Sequence, residues 1–187
     1  SFLFLNDKTL KLFWFFKFFF DDIIFIGYWQ NQFRREMHQK FLLEFKPKNY
    51  NKLSFELTKI NQQIEKDSIG VFVRRGDYVR LGIAKNARYY EKAILKLVER
   101  KKPVMIAIFS DDIEWCKVNL IIDRHKTFYV GNSLSNSVER LYVMSKFNII
   151  IVSDSTFDFF AYHIGKNFKQ KEIIYPKTSR IFKLNDM

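Results

Sequence analysis

The chain has 187 residues, 48% of them hydrophobic, which is enough for one ordinary domain with a real core and an extension. Its formal charge of +12 favours anionic partners such as nucleotides, nucleic acid or anionic lipid, although a solvated lysine surface explains the charge equally well. A single cysteine excludes an internal disulfide, and three widely spaced histidines argue against a structural metal site.

The N-terminal residues 10–28 form an apolar and aromatic stretch, LKLFWFFKFFFDDIIFIGY. Lys11, Lys17, Asp21 and Asp22 interrupt it, and each central charge costs about 2.5–3.5 kcal/mol on insertion into a membrane. We therefore predict a buried helix or strand followed by a second strand at residues 23–28, with peripheral membrane contact as the alternative. Because the chain lacks an initial Met and starts among apolar residues, we also expect a fragment or a processed product.

Beyond residue 52 the pattern alternates between helical and extended segments. The predicted helices span residues 52–66, 88–100, 113–119, 138–147 and 157–165. The predicted strands span residues 69–73, 104–109, 127–130, 148–152 and 172–175. This alternation indicates an α/β fold, a Rossmann-like parallel sheet with helices on both faces. A boundary near residue 67 is expected to separate an N-terminal linking region, 1–66, from a ligand-binding domain, 67–187.

The first polar motif, VFVRRGDYV at residues 71–79, ends a predicted strand. Arg74 and Arg75 suit a diphosphate, because a planar guanidinium binds phosphate oxygens in pairs. Gly76 permits a tight turn and a close approach of the backbone to a ligand. Taken alone, the motif also fits a basic surface turn.

Two further motifs follow other strands of the predicted sheet. In FSDDIEWCK, residues 109–117, Ser110 and Asp111 can cap the next helix. In VSDSTFDFFAYHIGKN, residues 152–167, hydroxyl groups precede a helix whose free N–H groups suit an anion, although a plain helix cap explains them as well. Because ligands of open α/β sheets bind beyond the carboxyl ends of the strands, we expect the three motifs to converge on one crevice.

In this order and spacing, the motifs resemble those of glycosyltransferase family 11, the α-1,2-fucosyltransferases. The shared strings are GYWQ at 27–30, RRGDY at 74–78, the tyrosine pair at 89–90, FSDD and WCK within 109–117, VMS at 143–145 and STF at 155–157. The resemblance covers about residues 23–176.

The resemblance implies the C-terminal half of a GT-B-type enzyme, with residues 67–187 as the domain that binds the GDP-sugar. The implied reaction is inverting and metal-independent, and it moves L-fucose from GDP-β-L-fucose to the 2-hydroxyl of a terminal galactose in a glycan. No cofactor and no nucleic-acid partner are expected. The low cysteine content and the lack of a signal sequence favour the cytoplasm, with peripheral attachment to the inner membrane.

The resemblance also implies roles for individual residues. Without a metal, cationic side chains and helix N-termini must neutralise the leaving diphosphate. The expected donor-binding residues are Arg74 as the main phosphate clamp, Arg75, Gly76, Ser155, Thr156 and the amide of Phe157, with Asp112 or Glu139 as the acceptor for guanine. Asp77 is a candidate catalytic base, or it orients Arg75 through a salt bridge. We interpret His163 as a packed residue.

Three positions depart from the family pattern. Phe72 replaces a histidine, Arg140 replaces an acid and Asp158 replaces a serine. Strand alternation places Phe72 on the face of Arg74, so we expect its ring near the donor, weak activity, and a gain from Phe72→His. The family's Gly-rich N-terminal segment is also missing. The alternative function is therefore a truncated, inactive homologue that binds GDP or glycan without turnover. A basic nucleic-acid-binding module has only the net charge in its support.

Overall fold

The structure is a computed structural model that describes residues 2–6, 22–26, 53–103, 105–120, 122, 126–132, 136–166 and 172–179. The chain forms two compact units, residues 1–41 and 42–187. In the first unit, strand β1, Phe2–Asn6, pairs in parallel with β2, Asp22–Ile26. The strand predicted at 23–28 is therefore present, β1 was not predicted, and the apolar residues 10–21 lie outside the described residues. Among the described helices, none is long and apolar enough to cross a membrane.

The second unit is built around a five-stranded parallel sheet. Its strands are β3 Ile69–Val73, β4 Ile106–Ser110, β5 Thr127–Val130, β6 Ile149–Ile151 and β7 Glu172–Ile174. Its helices are α1 Phe55–Gln63, α2 Gly76–Arg80, α3 Ala87–Lys101, α4 Ile113–Asn119, α5 Ser137–Met144 and α6 Thr156–Lys166. The spatial order β5-β4-β3-β6-β7 is that of a Rossmann-like sheet, so the α/β prediction is confirmed.

The direction of strand addition reverses between β3 and β6, which are neighbours in the sheet. Successive strands β4 and β5 add on one side of β3, whereas β6 and β7 add on the other. Connections leave the two central strands toward opposite faces at such a point, so a crevice opens beyond their carboxyl ends. Two of the three predicted motifs follow these two strands.

Helices cover both faces of the sheet with separate apolar clusters. One cluster joins α1, α5 and α6 to the strand face that carries Phe72, and the other joins α3 and α4 to the face of Val71 and Val73. This is the alternation expected for a fully buried strand. Gly70 leaves room for Phe147 in the first cluster, because a Cβ at position 70 would lie only 2.9 Å from the ring of Phe147.

Helix α1 belongs to this domain and not to a linking region. Leu57 and Ile60 are buried in the cluster that also contains Val143 and Met144 of α5. The division between the two units lies at residue 41, so the boundary expected near residue 67 falls inside the second unit.

Candidate functional site

The two arginines after β3 have different environments. Arg75 has a side chain only 15% exposed; its guanidinium lies 3.8 Å from the ring centre of Trp115, and its Nε donates to Oδ2 of Asp112 at 3.1 Å. Arg74 has a side chain 42% exposed and forms ion pairs with Asp77 and Asp111, each at 2.9 Å. Arg75 is therefore fixed within the protein, and Arg74 is the arginine that an incoming anion can reach.

Asp111 organises the end of β3 from the neighbouring strand β4. Its Oδ2 pairs with Arg74, and its Oδ1 accepts the backbone N–H of Arg75 at 2.8 Å. A Cβ on Gly76 would lie 2.8 Å from the same Oδ2. Gly76 therefore makes room for a carboxylate, and its backbone does not adopt the positive φ that a glycine-dependent turn would require.

The capping residue of α4 is Asp112 and not Asp111. Oδ1 of Asp112 accepts the N–H of Trp115 at 3.2 Å, while its own N–H donates to Oγ of Ser110 at 2.9 Å. The expectation that Asp111 caps this helix is wrong, because its carboxylate is held by the two arginines instead.

The two carboxylates considered for guanine are not equivalent. Both oxygens of Asp112 have a protein partner, Arg75 on one side and the N–H of Trp115 on the other. Glu139 lies half-buried in the first turn of α5, where its N–H donates to the side chain of Asn136 at 2.9 Å. Within the described part of the chain its carboxylate has no recorded partner, so Glu139 is the more available acceptor.

Asp77 lies in the first turn of α2, beside Arg74. The two groups approach to 2.9 Å as an ion pair, without the alignment of a hydrogen bond. The expected salt bridge from Asp77 to Arg75 is wrong in its partner, because Arg75 turns toward Trp115.

A serine-rich turn connects β6 to α6 on the other side of the crevice. Oγ of Ser155 accepts the N–H of Asp158 at 3.2 Å, and Oδ2 of Asp158 accepts the N–H of Ser155, also at 3.2 Å. This reciprocal pair is a capping box, which the sequence signal S-x-x-D at 155–158 could have indicated. No acceptor is recorded within the described residues for the N–H groups of Thr156 and Phe157.

Two tyrosines tie this turn to the helices that follow β3. The hydroxyl of Tyr78 donates to the carbonyl oxygen of Asp154 at 3.3 Å. The hydroxyl of Tyr89 lies 2.8 Å from the carbonyl oxygen of Val152 and 3.2 Å from that of Ile174. Burial, assisted by the charge of Asp158, raises the pKa of Tyr78 to about 12. Burial also raises the pKa of Tyr89, so both hydroxyls act as neutral donors. The bond from Tyr78 to Asp154 joins the RRGDY and SDST motifs at the carboxyl ends of the central strands.

Comparisons with known proteins identify the relatives of this chain. A family model described as "Glycosyl transferase family 11" matches residues 5–178. The chain belongs to this family. It is 35% identical over 144 residues to an alpha-1,2-colitosyltransferase from Escherichia coli, a match covering 71% of the chain and 48% of that protein. It is 29% identical over 103 residues to the mouse galactoside 2-alpha-L-fucosyltransferase Sec1, covering 51% of the chain and 28% of that protein. The chain thus spans less than half the length of these relatives.

The fold of this family 11 chain is also similar to a solved structure. A crystal structure of POFUT1 in complex with GDP superposes with a TM-score of 0.51 at 13% identity, covering 65% of this chain and 45% of POFUT1. This likeness supports the predicted Rossmann-like domain of a GT-B-type fold.

Phe72 and Arg140, two of the three departures from the family pattern, have different structural settings. Phe72 is 1% exposed and packs edge-on against Phe109 with ring centres 5.9 Å apart. Its ring lies inside the core and is shielded from direct contact with a ligand, and the expected position of the ring near the donor stays a prediction. Arg140 bonds to the side chains of Asn132 and Ser137 beyond the carboxyl end of β5, and burial lowers its pKa.

The remaining predictions concern His163 and metal ions. The ring of His163 lies 4.2 Å from that of Phe159 and 5.1 Å from that of Tyr162, as expected for a packed residue. Among the described residues, no group of three or more His, Cys, Asp and Glu side chains is arranged to hold a metal ion.

Proposed function

We propose that this chain forms the donor-binding part of a galactoside α-1,2-fucosyltransferase that uses GDP-β-L-fucose. The observation that carries the proposal is the placement of Arg74 beyond β3, across the strand-order reversal from the free N–H groups that begin α6 after β6. A partly exposed guanidinium and a helix N-terminus are complementary to the two phosphates of a nucleotide diphosphate. The names of the mouse relative and of the GDP complex of POFUT1 support this donor class.

In the proposed reaction the chain stabilises a leaving diphosphate without a metal ion. As the bond between the fucose anomeric carbon and the β-phosphate oxygen breaks, negative charge grows on that phosphate. Arg74 and the N–H groups of Thr156 and Phe157 would stabilise this charge more strongly than the ground state, which lowers the barrier. Arg75 would contribute by fixing the backbone from which Arg74 extends.

The ion pair between Asp77 and Arg74 favours an orienting role for this carboxylate. In an inverting reaction the acceptor hydroxyl attacks the face of the sugar opposite to the leaving group. A general base must therefore lie on the side of the anomeric carbon that faces away from the diphosphate. Asp77 instead lies 2.9 Å from Arg74, the residue proposed to bind the diphosphate. We infer that Asp77 holds Arg74 toward the crevice.

Glu139 is the proposed acceptor for the guanine edge. Guanine presents two adjacent donors, and a carboxylate with both oxygens available can accept both. Asp112 would first have to release Arg75 or the first turn of α4. Glu139→Gln should therefore reduce the preference for GDP over UDP. A general loss of stability would instead weaken the binding of both nucleotides equally.

Calorimetric titration of the chain with GDP tests the donor site. Arg74→Ala should weaken GDP binding by about 10- to 150-fold, since hydrogen bonds to a charged group contribute about 1.5–3 kcal/mol. The matched control is Arg88→Ala, which removes an exposed arginine on α3 and should leave the affinity unchanged. EDTA should have no effect on the native chain. Equal binding of GDP by the native chain and Arg74→Ala would contradict the proposal.

Two alternatives predict different outcomes in a transfer assay with a galactose-terminated acceptor. The name of the Escherichia coli relative favours colitose, which is L-fucose without its 3-hydroxyl group, as a second donor sugar. Faster transfer from GDP-colitose than from GDP-fucose would select that alternative. GDP binding without transfer from either donor would indicate a homologue that binds nucleotide without turnover.

A further inference from the structure

The carboxylate of Asp158 lies beneath the turn that joins β6 to α6. The residue is 3% exposed, and its Oδ2 accepts three hydrogen bonds. The donors are the N–H of Ser153 at 2.7 Å, the hydroxyl of Ser153 at 2.6 Å and the N–H of Ser155 at 3.2 Å. One buried oxygen atom therefore fixes both ends of the turn.

The turn between these bonds has an unfavourable backbone conformation. Asp154 adopts a φ of 75°, in the left-handed region that residues other than glycine rarely occupy. Its side chain accepts a hydrogen bond from Ser179 at 2.5 Å, and its carbonyl oxygen accepts one from Tyr78. Conformations of this kind persist only where surrounding contacts hold them, and Asp158 supplies three of those contacts.

We propose that Asp158 is a positioning residue for the donor diphosphate, because it holds the turn in the shape that leaves the N–H groups of Thr156 and Phe157 available. This inference rests on the proposed function. Asp158 does not itself contact the ligand, since the residue is only 3% exposed and its Oδ2 is engaged by the turn above it. Its effect reaches the ligand through the backbone of Ser153 and Ser155.

The charge of Asp158 gives a second way to detect this role. Burial raises its pKa to about 6, against the opposing effect of hydrogen bonds from the two serines. The titratable groups that face it are Tyr78, Tyr89, Tyr90 and Asp154. Burial raises the pKa of all three tyrosines, so they stay neutral near pH 6. The negative charge of a bound diphosphate would repel ionised Asp158 and so favour its protonated form. GDP binding should therefore strengthen as the pH falls through about 6.

The experiment compares GDP titrations of the native chain with Asp158→Leu, Asp158→Asn and Glu99→Gln, a control that changes an exposed carboxylate on α3. Asp158→Leu should weaken GDP binding about tenfold or more and speed hydrogen exchange at the amides of Ser153 and Ser155. Asp158→Asn should stay within about threefold of native near neutral pH, because its side-chain oxygen can occupy the position of Oδ2 and accept the same bonds.

The pH profile separates positioning from a merely structural role. The affinity of the native chain should rise relative to that of Asp158→Asn between about pH 7.5 and pH 5.5. The inference is overturned if Asp158→Leu binds GDP like the native chain, or if the native and Asn profiles run parallel. Failure of the native chain itself to bind GDP would instead overturn the proposed function, and the inference with it.

Discussion

Replacing Tyr89 or its neighbour Tyr90 by phenylalanine should change the stability of the chain in opposite directions. The hydroxyl of Tyr89 bridges the carbonyl oxygens of Val152 and Ile174, at the ends of β6 and β7. The hydroxyl of Tyr90 is fully buried and has no hydrogen-bond partner among the described residues. The two substitutions remove the same atom from adjacent positions, so their comparison isolates the effect of the partner.

The expected magnitudes follow from these contacts. Tyr89→Phe should lower the free energy of unfolding by about 1–2 kcal/mol, because a buried carbonyl loses its donor. Tyr90→Phe should raise it by about 1 kcal/mol, because an unpaired buried hydroxyl no longer has to leave water on folding. For a chain of this size the difference corresponds to roughly 5–10 °C between the two melting temperatures.

Urea and thermal unfolding followed by circular dichroism would measure both variants against the native chain. Tyr89→Phe should also weaken GDP binding, since it loosens the strand end that precedes the turn of α6. If both variants lose the same stability, Tyr90 has a hydrogen-bond partner and the reasoning is refuted.

Three further outcomes are expected. Gly76→Ala should destabilise the chain by about 1–3 kcal/mol in urea and weaken GDP binding, because its Cβ would displace the carboxylate of Asp111; unchanged binding would contradict this. Phe72→His should lower stability by about 2–3 kcal/mol without increasing transfer, because it places an imidazole in the core beside Phe109; a faster enzyme would show that the ring reaches the donor. The free energy of unfolding should fall by about 3 kcal/mol as the pH rises from about 4 to above 6. The reason is that folding raises the pKa of Asp158, so the folded chain binds the proton of this carboxyl group more tightly than the unfolded chain does. Asp158→Asn should show no such fall.

Hydrophobic periodicity was sufficient to predict most of the sheet and its helices. Ile69–Val73, Ile113–Asn119 and Thr127–Val130 have the bounds expected from the sequence, and β6 and the long helix α3 differ from expectation by one residue at each end. The buried residues of α3 recur at helical spacing, whereas β3 and β6 are short uninterrupted runs of buried residues. Helix α2 was not predicted, because five residues that begin with glycine are too few to show a period.

The site was harder to predict, because sequence spacing does not show which of two adjacent like residues turns inward. Arg74 and Arg75 are chemically identical, yet Trp115 on another element determines which one is fixed. Likewise Asp111 and Asp112 can both cap a helix. Asp111 can pair with the arginines only because Gly76 has no Cβ in the position that its carboxylate occupies. Asp158 was noted only as a departure from the family pattern, although its spacing from Ser155 indicated a capping box.

The double ion pair of Arg74 has a consequence for which anions can occupy the crevice. Asp77 and Asp111 already neutralise this guanidinium in the free protein, so ligand binding there is an exchange of one anion for another. A small ion such as chloride or inorganic phosphate gains little from this exchange, since it replaces a carboxylate without adding contacts. A ligand with two linked phosphates and a base can displace a carboxylate while also reaching the N-terminus of α6. In the proposed function, the two ion pairs of Arg74 therefore disfavour binding of simple anions from the surrounding solution relative to a nucleotide diphosphate.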